Sequence, residues 1–455
     1  MAVTNCGGHN DACFWKIIRP PTVAPAGLVG SLKCPLLADS RRITVFLKPR
    51  LLITIAVATI VGGFFSTPTL AQSDYFPPSG EWERRSPDQM EIDADRLQVA
   101  VAFAVSSESS GLRDLEANHP LTWGKEPFDE PLGPFRERGP QTGIIIKDGY
   151  IVAEWGDVNR VDLTFSVTKS FLSSTVGLAF DEGMIRNVDD PVGDYFAPIV
   201  LPAGDGEPGM EEDGVGSPNT HSLFESKHNR KITWDHLLRQ TSDWEGTLWG
   251  KPDWADRPGA DIAANRFRDR NEPGTVYKYN DVRVNLLALA VLQVWRRPLP
   301  QVLKERLMDP IGASNTWRWH GYENSWVTID GQMINSVSGG AHWGGGMHLS
   351  ALDQARFGVL TLRKGRWVNR QILSEKFLDM AESPGNANPR YGFMNWFLNT
   401  GRASVPAAPE SAFMHRGAGT NLVYVDREND LVIVARWIDR AAVAKFIEKV
   451  LAAMP

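Results

Sequence analysis

The pattern of apolar and polar residues predicts β-strands near both ends of the folded chain and helices between them. Two apolar runs, 143–147 and 151–155, flank Asp148-Gly149 and predict a β-hairpin, because Asp-Gly suits a tight turn between strands. Near the C-terminus, the runs 421–425 and 431–437 flank a polar turn and predict two more strands. Helical spacing of apolar residues predicts helices over 92–105, 166–183, 232–238, 282–294, 353–362 and 441–453.

Strands that are distant in sequence but alike in pattern predict one antiparallel sheet assembled from both ends of the domain. We therefore expect an α/β fold of the α+β type, with a central antiparallel sheet flanked by helices. A mostly helical subdomain is expected as an insertion at about 184–335, and it includes an acidic, Gly-rich loop at 204–217.

Composition narrows the function classes. The chain has 455 residues, of which 42% are hydrophobic, and a net charge of -6, which is typical of a globular protein with a sizeable core. Without a basic run, nucleic acid is not expected as a partner. Cys6, Cys13 and Cys34 are the only cysteines, so the chain beyond them has no disulfide, cysteine nucleophile or thiolate metal site.

The N-terminal segment has the features of an export signal. Lys48-Pro49-Arg50 precedes the apolar run 51–65, and small residues lead to a cleavage point after Ala71. We expect residues 1–44 to be a non-structural or mis-annotated extension, 45–71 a signal peptide, 72–90 an extended lead-in and 91–455 the functional domain. The expected location is periplasmic or secreted; the alternative is a membrane anchor formed by the uncleaved segment.

The stretch around Ser166 carries the first chemical motif. Ser166 lies where an apolar helix begins, and Lys169 follows three residues later, on the same helical face. A lysine with a lowered pKa can take the proton from a serine hydroxyl, and the helix N-terminus favours developing negative charge. This pattern indicates an acylatable serine; the alternative is a helix-capping serine beside an exposed lysine.

A second candidate group lies at Tyr279-Asn280-Asp281, just before the predicted helix 282–294. Tyr279 is a candidate to relay a proton between the serine and the leaving group. Tyr277 is its rival, because residues two apart share a face in an extended segment. Asp281 is expected either to orient Lys169 or to cap the helix.

A third candidate group is Phe413-Met414-His415-Arg416-Gly417-Ala418-Gly419-Thr420, directly before a predicted strand. Extended backbone beside the serine would offer an N–H near Ala418 as half of an oxyanion hole, with the N–H of Ser166 as the other half. Gly417 would permit the close approach that such a site requires. The alternative interpretation of this stretch, taken by itself, is a Gly-rich turn.

Together, Ser166-Val167-Thr168-Lys169, Tyr279-Asn280-Asp281 and His415-Arg416-Gly417 resemble the three ordered motifs of the serine β-lactamase and penicillin-binding-protein superfamily. The chain looks most like the class C β-lactamase-related group, with its esterases, D-aminopeptidases and 6-aminohexanoate-dimer hydrolases. The resemblance spans roughly Glu91 to the C-terminus. It implies a β-lactamase/transpeptidase-like fold and an exported serine hydrolase with Ser166 as nucleophile, Lys169 and Tyr279 as proton carriers, and Asp281, His415, Gly417 and Ala418 as supporting or oxyanion residues.

The chain departs from the family pattern in two motifs. The second motif usually reads Tyr-x-Asn, whereas its third position here is Asp281. The stretch Tyr322-Glu323-Asn324 fits literally but lacks the Pro-Gly lead and the following apolar helix. The third motif usually reads Lys-Thr-Gly or His-x-Gly; His415-Arg416-Gly417 fits the second form, and the missing lysine makes carboxylate-directed β-lactam turnover less favoured than esterase or amidase activity.

Two other function classes are alternatives to the serine hydrolase hypothesis. One is a non-catalytic or slowly turning over penicillin-binding or sensor-like module with the same fold. The other is a metal-dependent hydrolase, but His236, His342 and His348 show no His-Glu-x-x-His spacing and fit loop or capping roles better. A Gly-x-Ser-x-Gly elbow is absent from the sequence, which disfavours an α/β-hydrolase. We expect no cofactor, no metal, a small-molecule acyl substrate (ester, amide, peptide or lactam), and membrane contact only through the signal or anchor segment.

Overall fold

Strands from both ends of the described chain lie side by side, and most of the helices come between them in sequence. The computed structural model describes residues 74–123, 125–197, 199–200, 220–221 and 223–455. The predicted extension 1–44, the signal 45–71, the start of the lead-in and the acidic loop 204–217 lie outside the described residues.

The helices in the described part of the chain are α1 (Ala94–Ser106), α2 (Leu115–Thr122), α3 (Thr168–Asp181), α4 (Trp234–Leu238), α5 (Ile262–Phe267), α6 (Asp281–Trp295), α7 (Leu299–Leu303), α8 (Ala351–Leu362), α9 (Glu375–Glu382) and α10 (Val443–Leu451). The strands there are β1 (Thr142–Lys147), β2 (Tyr150–Trp155), β3 (Asp162–Leu163), β4 (Ile199–Val200), β5 (Thr220–His221), β6 (Thr247–Leu248), β7 (Lys251–Pro252), β8 (Arg318–Ile329), β9 (Gln332–Val337), β10 (Gly346–Leu349), β11 (Arg366–Trp367), β12 (Arg370–Gln371), β13 (Trp396–Leu398), β14 (Phe413–Gly417), β15 (Asn421–Asp426) and β16 (Leu431–Arg436).

The main sheet has six strands in the order β13-β14-β15-β16-β1-β2, and every neighbouring pair is antiparallel. The hairpin β1–β2 turns at Asp148 and Gly149, both with positive φ, as the Asp-Gly signal predicts. The predicted central antiparallel sheet is therefore confirmed, including its assembly from distant segments.

Alternate residues of the sheet face two different helical layers, because side chains point to opposite faces along a strand. Val432 and Val434 of β16 pack into the core that contains α3 and α8, whereas Leu431 and Ile433 face the core built with α1 and α10. All four of these side chains are fully buried. The sheet is thus covered on both faces, in agreement with the expected fold class.

The stretch predicted as a mostly helical insertion also contains a long β-hairpin. Strands β8 and β9 pair antiparallel and join β10 and β3 in a second, four-stranded sheet. The turn between β8 and β9 is Asp330-Gly331, with φ of 53° and 78°. This is the same Asp-Gly turn signal as in the first hairpin.

No helix within the described residues is both long enough and apolar enough to cross a membrane.

Candidate active site

Ser166 lies in a tight 3₁₀ turn, Phe165–Val167, immediately before α3. Phe165 has φ of 49°, a left-handed conformation that is strained for a bulky side chain. Packing holds it there, since its ring contacts the rings of Trp123 and Trp437 at centroid distances of 5.6 and 6.3 Å. Neither helical segment has a side-chain cap from Ser166, so the alternative of a capping serine does not describe this residue.

Lys169 connects the serine to a buried carboxylate. Its Nζ donates hydrogen bonds to Ser166 Oγ at 2.9 Å and to Asp281 Oδ1 at 2.5 Å, and its side chain is 0% exposed. Burial lowers the pKa of Lys169, because a charge loses its hydration there, while Asp281 opposes that effect. The meeting of hydroxyl and amine that the helical spacing predicts is observed.

Asp281 orients Lys169 and does not cap the helix. The N-cap of α6 is Asn280, whose side chain accepts from the Arg283 N–H. The second oxygen of Asp281 accepts from Arg257 Nη1 at 2.8 Å, and Asp256 binds both Arg257 and the Asp281 backbone N–H. Burial raises the pKa of Asp281, but the charges of Lys169 and Arg257 outweigh burial and hold that pKa well below its usual range.

Tyr279 lies close to both Lys169 and Ser166. Its ring centroid is 4.7 Å from Lys169 Nζ, and its hydroxyl is near the Ser166 side chain. Burial and the charge of Asp281 raise the pKa of Tyr279, so the phenol keeps its proton in the resting site. Its rival Tyr277 instead packs on Tyr391, with its hydroxyl near Asn388.

The literal Tyr-x-Asn at Tyr322 lies in β8. Its hydroxyl accepts from Asn285 and from Ser338, at 3.2 and 3.1 Å. These bonds are consistent with a structural role.

Strand β14 passes directly beside the serine turn. A Cβ placed on Gly417 would overlap the Thr164 carbonyl oxygen and lie 3.0 Å from the Ser166 nitrogen, so this approach requires glycine. Ala418 follows in a short 3₁₀ turn, where Asn421 Nδ2 donates to its carbonyl at 2.9 Å. The backbone of the third motif therefore lies where the oxyanion prediction needs it, while the role of the Ala418 N–H remains a prediction.

His415 belongs to the core and not to the site. Its side chain is fully buried, its Nδ1 lies 2.8 Å from Ser170 Oγ, and its ring packs on Phe357 and Trp396. Burial lowers the pKa of His415 to about 3, so the ring is neutral. Strand alternation explains the placement: His415 points to the α3 and α8 face, and the supporting role expected of it is corrected to packing.

Arg416, the next residue of β14, points the other way. Its guanidinium lies 5.4 Å from the Phe397 ring centroid.

Three residues outside the predicted motifs tie those motifs together. Asn395 Nδ2 donates to the carbonyl oxygens of both Ser166 and Arg416, and the Asn395 N–H donates to the Tyr391 hydroxyl at 2.7 Å. Gln240 donates to the same hydroxyl at 3.1 Å and accepts from the Asn280 N–H at 2.7 Å. Only Gln240, within the stretch Leu237 to Ser242, had a sequence signal; Asn395 and Tyr391 had none.

A buried histidine lies behind Asp281. Ligand atoms of Glu126, Asp256 and His342 all lie within 4.8 Å of one another, as in a candidate metal centre. However, the two ring nitrogens of His342 face different carboxylates, Nε2 facing Glu126 at 3.1 Å and Nδ1 facing Asp256 at 3.7 Å, whereas a metal ion would be bound through one nitrogen only. The arrangement fits an imidazolium between carboxylates better than a metal ion.

The other two candidate histidines have separate surroundings. His348 packs against His320, and His236 takes part in the capping box of α4.

A pocket of about 300 Å³ is lined in part by Tyr391, whose ring also packs on that of Tyr279. Polar side chains of α4 and of the loop before β13 line much of it, among them Asp235, His236 and Asn388.

A family model described as Beta-lactamase matches residues 147–436, more than half of the chain. The chain belongs to the beta-lactamase family. Membership, together with the three motifs, makes it a serine hydrolase of the β-lactamase and penicillin-binding-protein superfamily, as the sequence resemblance predicts. No curated protein matches the chain.

Solved structures with similar folds share little sequence with this beta-lactamase family member. A penicillin-binding-protein homologue from Caulobacter crescentus is 13% identical, with 80% of this chain and 98% of that chain covered and a TM-score of 0.48. The hydrolase EstCE1, described as having promiscuous acyltransferase activity, is 15% identical, with 80% and 99% covered and a TM-score of 0.48. A beta-lactamase from Mycobacterium bovis is 18% identical, with 67% and 94% covered and a TM-score of 0.42.

Proposed function

We propose that the protein is an exported hydrolase that forms an acyl-enzyme on Ser166 and hydrolyses an ester, amide or β-lactam carbonyl, with esters and amides favoured. The contact between Lys169 Nζ and Ser166 Oγ, at 2.9 Å in a buried site, carries the proposal. Export rests on the predicted signal at 45–71, and the preference for esters and amides rests on the missing lysine in the third motif.

Lys169 is the base in the first step. Burial favours the neutral amine of Lys169, against the opposing charge of Asp281, and it favours the protonated phenol of Tyr279, so the reactive form of the site has a neutral Lys169 and a protonated Tyr279. Lys169 takes the proton from Ser166 Oγ as the oxygen attacks the substrate carbonyl. Tyr279 then donates a proton to the departing alcohol or amine and recovers one from Lys169.

The carbonyl oxygen becomes negatively charged in the tetrahedral intermediate. The Ser166 N–H, at the start of α3, and the Ala418 N–H are the proposed donors, and the glycine at 417 brings their two segments together. Collapse of the intermediate breaks the bond to the leaving group and leaves the acyl group on Ser166. Water then attacks this ester as Lys169 takes its proton, and that proton passes to Ser166 Oγ as the carboxylic acid is released.

A second candidate is a penicillin-binding or sensor-like module that acylates and turns over slowly. The ion pair between Lys169 and Asp281 favours it, because a carboxylate 2.5 Å from the amine stabilises the protonated lysine, which is not a base. The two functions share the first chemical step and differ in whether water releases the acyl group.

Turnover assays separate the candidates. The mature protein and Ser166→Ala are incubated with p-nitrophenyl esters, a p-nitroanilide and a penicillin, and product is followed through many equivalents. A hydrolase releases product continuously, faster from the ester or anilide than from the penicillin, and Ser166→Ala loses this activity. A burst of one equivalent followed by a halt supports the sensor-like module. Equal rates for both proteins overturn both readings.

A further inference from the structure

His342 is a buried polar side chain for which the proposed reaction has no use. It lies in the glycine-rich segment between β9 and β10, its side chain is 0% exposed, and neither ring nitrogen has a well-aligned hydrogen-bond partner. The rings of Trp123 and Trp343 pack against it at 5.1 and 4.4 Å. Burying an imidazole in this way costs free energy unless its nitrogens interact with charge.

Three carboxylates meet at this ring. Glu126, which follows α2, faces Nε2 at 3.1 Å, while Asp256 and Asp281 each place an oxygen 3.7 Å from Nδ1. An imidazolium carries a proton on both nitrogens and so can interact with carboxylates on both sides at once, which a neutral ring cannot do. The geometry at both nitrogens therefore indicates the protonated form.

The charges of the surrounding groups also favour a protonated His342. The cluster holds three carboxylates, on Glu126, Asp256 and Asp281, against the two cations Arg257 and Lys169. A proton on His342 makes three cations and neutralises the buried cluster. Burial lowers the pKa of His342, but Asp256, Asp281 and Glu126 outweigh burial and raise it above its ordinary value. Arg257 opposes this change, while burial and the charge on His342 lower the pKa of His119 in α2.

We propose that His342 is a positioning residue whose imidazolium bridges Glu126 to Asp256 and Asp281 and thereby weakens the hold of Asp281 on the catalytic Lys169. Asp281 uses one oxygen for Lys169 and the other for Arg257, and His342 faces that second oxygen. Positive charge on that side draws the carboxylate charge away from Lys169. Lys169 can then give up its proton and act as a base, so this inference rests on the proposed function.

The consequence is a pH profile set by a residue that does not touch the substrate. Without the charge on His342, Asp281 stabilises the lysine ammonium more strongly, and Lys169 keeps its proton to higher pH. The acidic limb of kcat/KM and of Ser166 labelling should move upward by about one pH unit or more in His342→Asn. Glu126→Gln should move the limb in the same direction, because it removes one of the carboxylates that keep His342 protonated.

The test uses two readouts on the full mature protein. Ser166 labelling by an activated phosphonate is measured from pH 5 to 9 for wild type, His342→Asn, Glu126→Gln and the matched control His348→Asn, which changes a buried histidine that packs on His320. In parallel, nitrogen NMR of ¹⁵N-histidine-labelled protein assigns the His342 ring by its loss in the variant. We expect both ring nitrogens protonated at pH 7, an upward shift in the two cluster variants and an unshifted control.

The results that would contradict this inference differ from those that would contradict the proposed function. A neutral His342 ring at pH 7, or a labelled wild type with unshifted cluster variants, overturns the inference and leaves the proposed function standing. Loss of labelling on treatment with EDTA, with a bound ion found by elemental analysis, overturns it in favour of a metal centre. A wild type that cannot be labelled at any pH defeats the proposed function, while the NMR readout still decides the charge of His342. If His342→Asn does not fold, Glu126→Gln carries the labelling test.

Discussion

Lys169 and Asp281 form a fully buried ion pair, with Nζ 2.5 Å from Oδ1, in the centre of the candidate active site. The family pattern usually has asparagine at the position of Asp281. A neutral amide would leave the lysine free to lose its proton in a buried site, whereas a carboxylate opposes that loss. The pair therefore makes the protonation of Lys169 the variable that decides how fast this serine reacts.

Replacing the carboxylate with the amide tests that conclusion. In Asp281→Asn, the charge that raises the pKa of Lys169 is lost while burial, which lowers it, remains. We expect the acidic limb of Ser166 acylation to move to lower pH, opposite in direction to the shift expected of His342→Asn. The measurement is the labelling rate as a function of pH, and an unmoved or upward-shifted limb would contradict the role assigned to the pair.

Tyr279 and Tyr277 offer a matched comparison of two tyrosines that flank Lys278 and both contact Tyr391. The hydroxyl of Tyr279 lies near Ser166, whereas that of Tyr277 lies near Asn388. Tyr279→Phe should lower kcat by about 10²- to 10⁴-fold, as expected for the loss of a proton carrier. Tyr277→Phe should retain most of the activity, and equal losses in the two variants would argue against a specific relay through Tyr279.

Gly340 packs so closely against the candidate active site that a larger residue would not fit. A Cβ on this residue would overlap both Lys169 Nζ and Asp281 Oδ1. Gly340→Ala should therefore displace the amine and slow Ser166 labelling by about 10²-fold, the effect of a misplacement near 1 Å. In the control Gly111→Ala the nearest atom would be 3.5 Å away, an ordinary contact. If Gly340→Ala were labelled at the wild-type rate, the reaction of Ser166 would not depend on this close contact with Lys169.

Asp243 provides a prediction about stability. Its side chain is 4% exposed; it accepts from Arg283 Nη2 at 2.7 Å and from the Asn271 N–H at 2.8 Å, and it pairs with Arg268. Burial raises the pKa of Asp243, but the hydrogen bonds and charges of Arg268 and Arg283 outweigh burial and lower it below the ordinary value. Asp243→Asn leaves buried arginine charge less compensated and should cost about 3–5 kcal/mol at pH 7.

The pH dependence of that loss follows from the lowered pKa. A carboxylate with a depressed folded-state pKa stabilises the fold above its unfolded pKa of about 3.9, and this contribution is lost as the pH falls towards the folded-state value. The difference in unfolding free energy between wild type and Asp243→Asn should thus be constant near neutrality and shrink below about pH 4. Urea unfolding measures it. Asp379→Asn, whose side chain is 61% exposed, is the control and should change stability by less than about 1 kcal/mol.

The sequence predicts the sheet and the serine helix because their signals are local. Asp148-Gly149 between two apolar runs fixes the first hairpin, and the spacing of Ser166 and Lys169 brings their side chains together on one helical face. The second hairpin, β8–β9, carries the same Asp-Gly signal at Asp330-Gly331, and the alternation Ser325 to Ile329 matches it.

The rest of the site depends on contacts between segments far apart in the chain. Asn395 reaches Ser166, Gln240 reaches Asn280, and His342 reaches Asp281, at sequence separations that no local pattern encodes. For His415, the local motif identifies the residue but not the direction of its side chain. Strand alternation directs its ring into the core.

Intact mass spectrometry is the most direct test of Ser166 as the nucleophile. The mature protein and Ser166→Ala are each mixed with one activated serine-reactive phosphonate, and their masses are compared with those of the untreated proteins. We expect a single adduct on the wild type, located on Ser166 by peptide mapping, and no adduct on Ser166→Ala. An unlabelled wild type, or an adduct that persists in Ser166→Ala, would contradict Ser166 as the nucleophile.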